Sequence, residues 1–302
     1  MKPATVVWRF RDGKAGHERQ TAGLLSALAT QRPITVIEIN AREFPRAWWA
    51  WLRGIWPARP DLAVPDLVVG AGSACAWPML AAARAFGARS VYLMNPSLPR
   101  GLFDLCLVPR HDGVPASARV MLTEGVLNDL VPLPGPRSGA TLVLVGGPSR
   151  HHRWDEAGLL GQIDRLHDSL GETSLVITDS RRTPPSTTAQ LVQRVGDGVH
   201  FVSHTTCGPD WLREALMRAP AAWVTADSVS MLFEALSAGC AVGVLEVPAR
   251  RADRITRIAS SLLAESRVLS LAQWQATGEW PPHPPLAEAA RCAVRVAAEL
   301  AH

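Results

Sequence analysis

The residues best equipped for chemistry begin in the loop Asp12-Gly-Lys-Ala-Gly-His17. An imidazole titrates near neutral pH, so His17 is the first choice as general base, with Asp12 and His111 as the alternatives. Gly13 and Gly16 let the backbone approach a ligand or turn tightly. Lys14 supplies a compact ammonium in a chain whose other basic residues are almost all arginine. The pattern is neither the dinucleotide fingerprint nor a phosphate-binding Walker loop, which removes support for nicotinamide cofactors and ATP hydrolysis.

Two further clusters lie in the second half. Gly146, Gly147 and Ser149 precede Arg150, His151, His152 and Arg153, a composition suited to an anion nest. The adjacent histidines lack a third ligand at suitable spacing, so no metal is expected. Arg181 and Arg182 are placed to clamp a diphosphate, or else form a solvated turn. Next comes an apolar run at 222–225, then Asp227, Ser228 and Ser230, a helical stretch ending at Gly239, and a second apolar run at 241–247. Such βαβ units bind ligands where the helix starts, because its free N–H groups and dipole attract anions. Glu234, in the second turn, is placed to accept hydrogen bonds from sugar hydroxyls. The plainer alternative is an ordinary βαβ unit with Asp227 or Ser228 as a simple helix cap.

A tryptophan-rich stretch occupies 46–56. As a helix it would gather Trp48, Trp51, Leu52, Ile55 and Trp56 on one face beside Arg46 and Arg53. That composition fits a membrane-surface element or the lining of a lipid-linked acceptor site, and equally a helix packed on its own domain.

The elements that must position these groups are legible as alternation. Apolar runs at 5–10, 34–40, 67–70, 90–94, 105–108 and 120–123 are answered by runs at 141–145, 174–178, 200–203, 222–225, 241–247 and 268–270. Helical patterns fall between many of them, as at 20–29, 77–86, 156–170 and 209–219. Short continuous strands alternating with helices indicate parallel sheets covered on both faces. The expectation is an α/β protein of two doubly wound Rossmann-like domains facing across a cleft. They comprise residues 1–133 and 139–302, with the last helix free to pack back on the first domain. The Pro/Gly-rich stretch at 131–139 is the expected linker.

Bulk composition narrows the classes. At 302 residues, 47% apolar and 19% charged, the chain is globular rather than disordered. Its net charge of +4 is scattered, with no basic run interleaved with aromatics, so nucleic acid is not an expected partner. Five dispersed cysteines without a Cys-x-x-Cys pair indicate reduced thiols. No signal peptide is read at the start, and the reading is a soluble cytoplasmic protein, peripheral to the inner membrane at most.

Four ordered motifs, DGKAGHERQ, LVGGPSRHHRWD, TDSRRTP and VTADSVSMLFEALSAG, resemble the bacterial branch of the elongated-mitochondria (mitochondrial fission) family. The resemblance runs from about Val6 to about Val247. It implies a GT-B-like fold, similar to glycosyltransferases that act on lipid-linked envelope precursors. In that scheme a nucleotide-sugar is the substrate and no resident cofactor is needed. Gly13 to His17 resembles the first loop of those enzymes, and Glu234 occupies the place of the glutamate that holds the nucleotide's ribose. Ser228-Val-Ser230 departs from the glycines usual there. Two alternatives stay open: a nucleotide-sugar epimerase using carboxylates such as Asp12, Glu124 and Glu234, and a non-catalytic module that docks on membranes or partners.

Overall fold

The computed structural model describes residues 4–56, 62–171, 173–208, 210–282 and 284–300. The chain divides into two compact units, Met1–Asp129 with Ala287–His302, and Leu130–Leu286.

The first unit runs β1 (Thr5–Arg11), α1 (Ala15–Ala29), β2 (Ile34–Asn40), α2 (Ala47–Arg53), β3 (Leu67–Ala71), α3 (Ser73–Phe86), β4 (Arg89–Leu93), β5 (Leu105–Pro109) and β6 (Val120–Thr123). Its strands form one parallel sheet in the order β2-β1-β3-β4-β5-β6. Every residue of β3 and β5 is buried, as continuous apolar strands sandwiched between helices must be. The α1 helix starts at Ala15, earlier than the apolar pattern implies. An Asx turn explains this: Asp12 Oδ1 accepts the Lys14 N–H at 3.1 Å and fixes the entry into the helix. Gly16 and His17 therefore sit in the first turn of α1, not in the loop.

The second unit contains β7 (Thr141–Leu144), α4 (Glu156–Leu170), β8 (Leu175–Thr178), α5 (Pro185–Val192), β9 (Val199–Val202), α6 (Trp211–Arg218), β10 (Ala221–Thr225), α7 (Val229–Ala238), β11 (Ala241–Leu245), α8 (Thr256–Ala264), β12 (Leu269–Ser270) and α9 (Leu271–Thr277). Its parallel sheet has the order β12-β11-β10-β7-β8-β9. The start of the helix expected over 209–219 lies partly outside the described residues, at Pro209. All the strands expected from sequence form, and the largest offset is the 241–247 run, which stops at Leu245. The two doubly wound α/β units expected from the sequence are present.

The stretch at 131–139 is not a bare linker. Arg137 donates from Nη1 to the carbonyls of Leu216 (3.0 Å) and Ala219 (2.8 Å), and from Nη2 to that of Ala238, so it caps the ends of α6 and α7. The last helix, α10 (Glu288–Glu299), returns to the first unit. Its Cys292, Ala293 and Val296 are fully buried in one cluster with Leu24 and Leu28 of α1 and Leu67 of β3. Glu288 fixes its start by accepting the Glu124 N–H at 2.8 Å.

Candidate functional site

In the first unit the chain leaves β1 for β2 on one side and later places β3 on the other, so the β1/β3 boundary is a topological switch point. Open α/β sheets bind ligands beyond the strand ends at such a point. Asp12 follows β1 there and is buried to 2% exposure. Its Oδ2 lies 2.8 Å from Nδ1 of His17, whose side chain keeps 19% exposure. A carboxylate only accepts, so Nδ1 carries the proton, and in the neutral ring Nε2 keeps its lone pair. The two residues that the sequence offered as alternatives thus form one hydrogen-bonded pair.

Gly72, which links β3 to α3, makes room for the pair. A Cβ there would sit 2.4 Å from His17 Nδ1 and 2.7 Å from Asp12 Oδ2, and its φ is +87°. Met94, just past β4, holds φ 77° and accepts from Gln20 Nε2 at 3.7 Å. A non-glycine residue in that region stores strain, a feature that gathers at functional sites. Sequence inspection missed both residues, because a glycine after a strand and a lone methionine carry no signal on their own. A polar cavity of about 420 Å³ opens beside Asp12, lined by Arg11, Gly13, Glu18, Glu38, Asn40 and Arg42. A larger cavity of about 800 Å³ includes Asp66 just before β3, Arg89 at the start of β4 and Asp104 just before β5, so it lies at the opposite strand ends from the Asp12–His17 pair.

Lys14 is exposed at the N-cap of α1, and Gly13 takes φ +79° in the turn before it. His111 follows β5, three places from β1 and roughly 14 Å away laterally at the usual strand spacing. The sheet does not bring it to the dyad. Glu124, beyond β6, pairs with Arg110 at 2.7 Å.

In the second unit the switch point falls between β7 and β10. Gly146 N–H donates to Thr225 Oγ1 at 2.8 Å, and Gly147 N–H to Asp227 Oδ2 at 3.0 Å. Neither glycine tolerates a side chain: Cβ atoms there would meet Asp227 Oδ2 at 2.3 Å and Arg182 O at 2.0 Å. Arg182 Nη2 lies 2.7 Å from Asp227 Oδ2. The Ser149 hydroxyl is occupied in its own turn, accepting the N–H groups of His151 and His152 at 3.1 Å each. Arg181 is exposed, as is Ser230 in the first turn of α7. Ser228 holds the N-cap position of α7 without a side-chain capping bond, and Glu234 is half-buried further along that helix.

The histidines of this unit have separate partners. His151 Nδ1 meets Asp253 Oδ2 at 2.6 Å, and His204 Nδ1 meets Asp179 Oδ1 at 2.9 Å. Burial penalises Asp179, but its bonds from the His204 backbone, the His204 ring and Thr188 outweigh this, and its pKa falls below the usual carboxylate value. The His152 pKa lies below 6.5 because burial disfavours the imidazolium, the nearby Asp227 charge only partly opposing this. Among the described residues no three His, Cys, Asp or Glu side chains gather as metal ligands.

The tryptophan-rich stretch differs from its helical projection. The helix ends at Arg53 and Gly54 turns left-handed, so Ile55 and Trp56 lie beyond it. Trp56 packs inward on Phe44, Trp8 and Phe10, and Trp51 on Trp77. The outward face consists of Trp48, Trp49, Leu52 and Ile55, between 44% and 55% exposed, with the Arg53 guanidinium 3.7 Å above the Trp49 ring. No helix is long and apolar enough to cross a membrane among the described residues.

The model of the family described as mitochondrial fission ELM1 matches residues 15–300. The chain belongs to the mitochondrial fission ELM1 family. No curated protein sequence matches it. Among solved structures, this ELM1-family chain resembles a candidate UDP-N-acetylglucosamine 2-epimerase from Listeria monocytogenes, with a TM-score of 0.60 and 11% identity over 99% of this chain and 96% of the other. A second UDP-N-acetylglucosamine 2-epimerase gives a TM-score of 0.60 and 14% identity over 99% and 96%. The glycosyltransferase SnogD from Streptomyces nogalater gives 0.49 and 15% over 99% and 96%. At these identities the ELM1-family chain shares a fold with the epimerases.

Proposed function

We propose that the protein is a glycosyltransferase that uses a nucleotide-activated sugar, with the second unit taking the donor and the first the acceptor. The observation that carries this reading is the Asp12–His17 pair at the β1/β3 switch point. Asp12 fixes the tautomer, and Nε2 of His17 takes the proton of an acceptor hydroxyl as its oxygen attacks the anomeric carbon. The bond to the nucleoside diphosphate breaks, and that diphosphate leaves with the electron pair. The donor's phosphates lie near the start of α7 with Ser228 and Ser230, Arg181 or Arg182 neutralises the departing charge, and Glu234 holds the ribose. The chemistry calls for no resident cofactor.

The epimerase alternative is weaker, since Asp12 and Glu124 end strands four places apart in one sheet and Glu124 is held by Arg110.

The acceptor in this reading is linked to a lipid of the envelope, presented at the inner face of a membrane. The outward Trp48, Trp49, Leu52 and Ile55 beside Arg53 support it, because aromatic rings with a basic flank suit the headgroup boundary.

A thermal-shift series with UDP, GDP, CMP, dTDP and ADP and their sugar conjugates tests the donor assignment. A ligand that binds only the folded state raises the melting temperature by mass action. Stabilisation by one nucleotide, weakened in Glu234→Ala, is the expected result. No shift at millimolar ligand overturns the donor site.

A further inference from the structure

A carboxylate already occupies the place where the second unit would hold an anion. Two donors converge at the β7/β10 switch point, the Gly147 N–H at 3.0 Å and Arg182 Nη2 at 2.7 Å, and both are spent on Oδ2 of Asp227. Arg182 also reaches back to the Gly147 carbonyl through Nη1 at 2.8 Å. The Asp227 side chain has 0% exposure, whereas that of Arg182 keeps 41%. Asp227 therefore faces the protein, and the arginine faces solvent. The carboxylate lies flat against Gly146, where a Cβ would be 2.3 Å from Oδ2 and 2.6 Å from Oδ1.

The second carboxylate oxygen sets this apart from an ordinary structural ion pair. Oδ1 is fully buried and has no hydrogen-bond partner, and Nδ1 of buried His152, whose charge state Asp227 influences, is also unpartnered. The large majority of buried carboxylate oxygens are hydrogen-bonded, and an orphaned one calls for an explanation. Here one oxygen takes the anion-binding donors and the other takes none. The α7 helix that starts just beyond has no side-chain cap.

We infer that Asp227 is an internal occupant of the anion site, which holds Arg182 on the protein and sets the charge that a ligand at this site is allowed to carry. This rests on reading the second unit as the donor side. A phosphoryl group needs the same donors, so it has to draw Arg182 away from Asp227 and lie near an opposing charge. Such a site disfavours bare anions and relies on the nucleoside and sugar for the rest of its affinity. A leaving nucleoside diphosphate carries one more negative charge than the nucleotide-sugar it came from. Asp227 therefore discriminates substrate from product and drives product release.

Inorganic pyrophosphate is the direct probe, titrated by calorimetry into the full-length chain. Asp227→Asn is expected to bind it about tenfold more tightly than the wild type, a difference of about 1.4 kcal/mol. Adding Arg182→Gln to that variant returns the affinity to the wild-type level or below. Asp227→Ser is a second neutral variant, with circular dichroism and the urea midpoint confirming that each is folded. Equal or weaker binding by a folded neutral variant overturns the inference, and so does failure of both variants to fold, since the carboxylate is then structural. Tighter pyrophosphate binding with no nucleotide-sugar binding by either protein leaves the inference standing and removes the glycosyl-transfer reading. Nucleotide-sugar binding with pyrophosphate affinity indifferent to Asp227→Asn does the reverse.

Discussion

Nδ1 of His17 and Oδ2 of Asp12 stand 2.8 Å apart, the histidine in the first turn of α1 and the aspartate buried at the end of β1. The carboxylate is desolvated, so it holds the ring in one tautomer. The partly exposed ring keeps its far nitrogen available.

Replacing His17 by Gln removes the proposed base and should leave the fold. The expected loss in transfer rate is about 10²–10⁴-fold, with donor binding unchanged. Asp12→Asn should lose a similar factor through the wrong tautomer. Steady-state rates alongside calorimetric donor affinity check both, and a donor affinity that falls in step with the rate contradicts the assignment.

Gly72→Ala tests the space the pair depends on. The new Cβ would lie 2.4 Å from His17 Nδ1, and the position has φ +87°. Left-handed backbone and the forced shift together should cost about 1–3 kcal/mol of stability. The urea midpoint measures this. A Gly101→Ala control, where an added Cβ meets nothing within 4 Å, should cost far less.

Stability should fall with acidification from pH 6.5 downward. His152 is 3% exposed, and its folded pKa lies below its ordinary 6.5. The unfolded chain takes the proton first, so stability is complete above pH 6.5 and declines as pH drops toward the folded value. Within that window the loss approaches about 1.4 kcal/mol per pH unit. Asp179 and Asp253, depressed from 3.8 by their histidine partners and backbone donors, add their losses only at lower pH. Unfolding curves at stepped pH for wild type and His152→Phe separate the two, and an unchanged slope in the variant excludes His152 as the cause.

Tryptophans a few residues apart should behave oppositely. Trp56→Ala opens the contact with Phe44, 4.5 Å away between ring centroids, and with Trp8 and Phe10, and should destabilise the fold by about 3–5 kcal/mol. The exposed pair changed together, Trp48→Ser and Trp49→Ser, should leave the melting temperature within about 2 °C and reduce sedimentation with anionic vesicles. Vesicle binding that survives the double change removes the membrane role.

What the sequence revealed, and what it hid, divides along the range of the interactions. Continuous burial of β3, β5 and β10 left apolar runs that could be read directly. The chemistry at the ends of β1 and β7 could be located but not assembled. Asp12 and His17 were legible singly; their contact depends on an Asx turn that starts α1 at Ala15, where the apolar pattern has not begun. A helical projection over 46–56 puts Trp51 and Trp56 on the outward face, but the helix has already ended at Gly54. Arg182 and Asp227 lie far apart in sequence, and only the pairing of β7 with both β8 and β10 brings them together.

The return of α10 to the first unit has a consequence for biosynthesis. Leu24, Leu28 and Leu67 share their cluster with Cys292, Ala293 and Val296. That wall is delivered only after the whole of the second unit during vectorial synthesis. The second unit, Leu130–Leu286, has its whole sequence available before the first does, although the first begins to emerge earlier. A nascent chain halted at Asp129 exposes an apolar seam suited to chaperone capture, and a gene fragment encoding only that portion should yield insoluble protein.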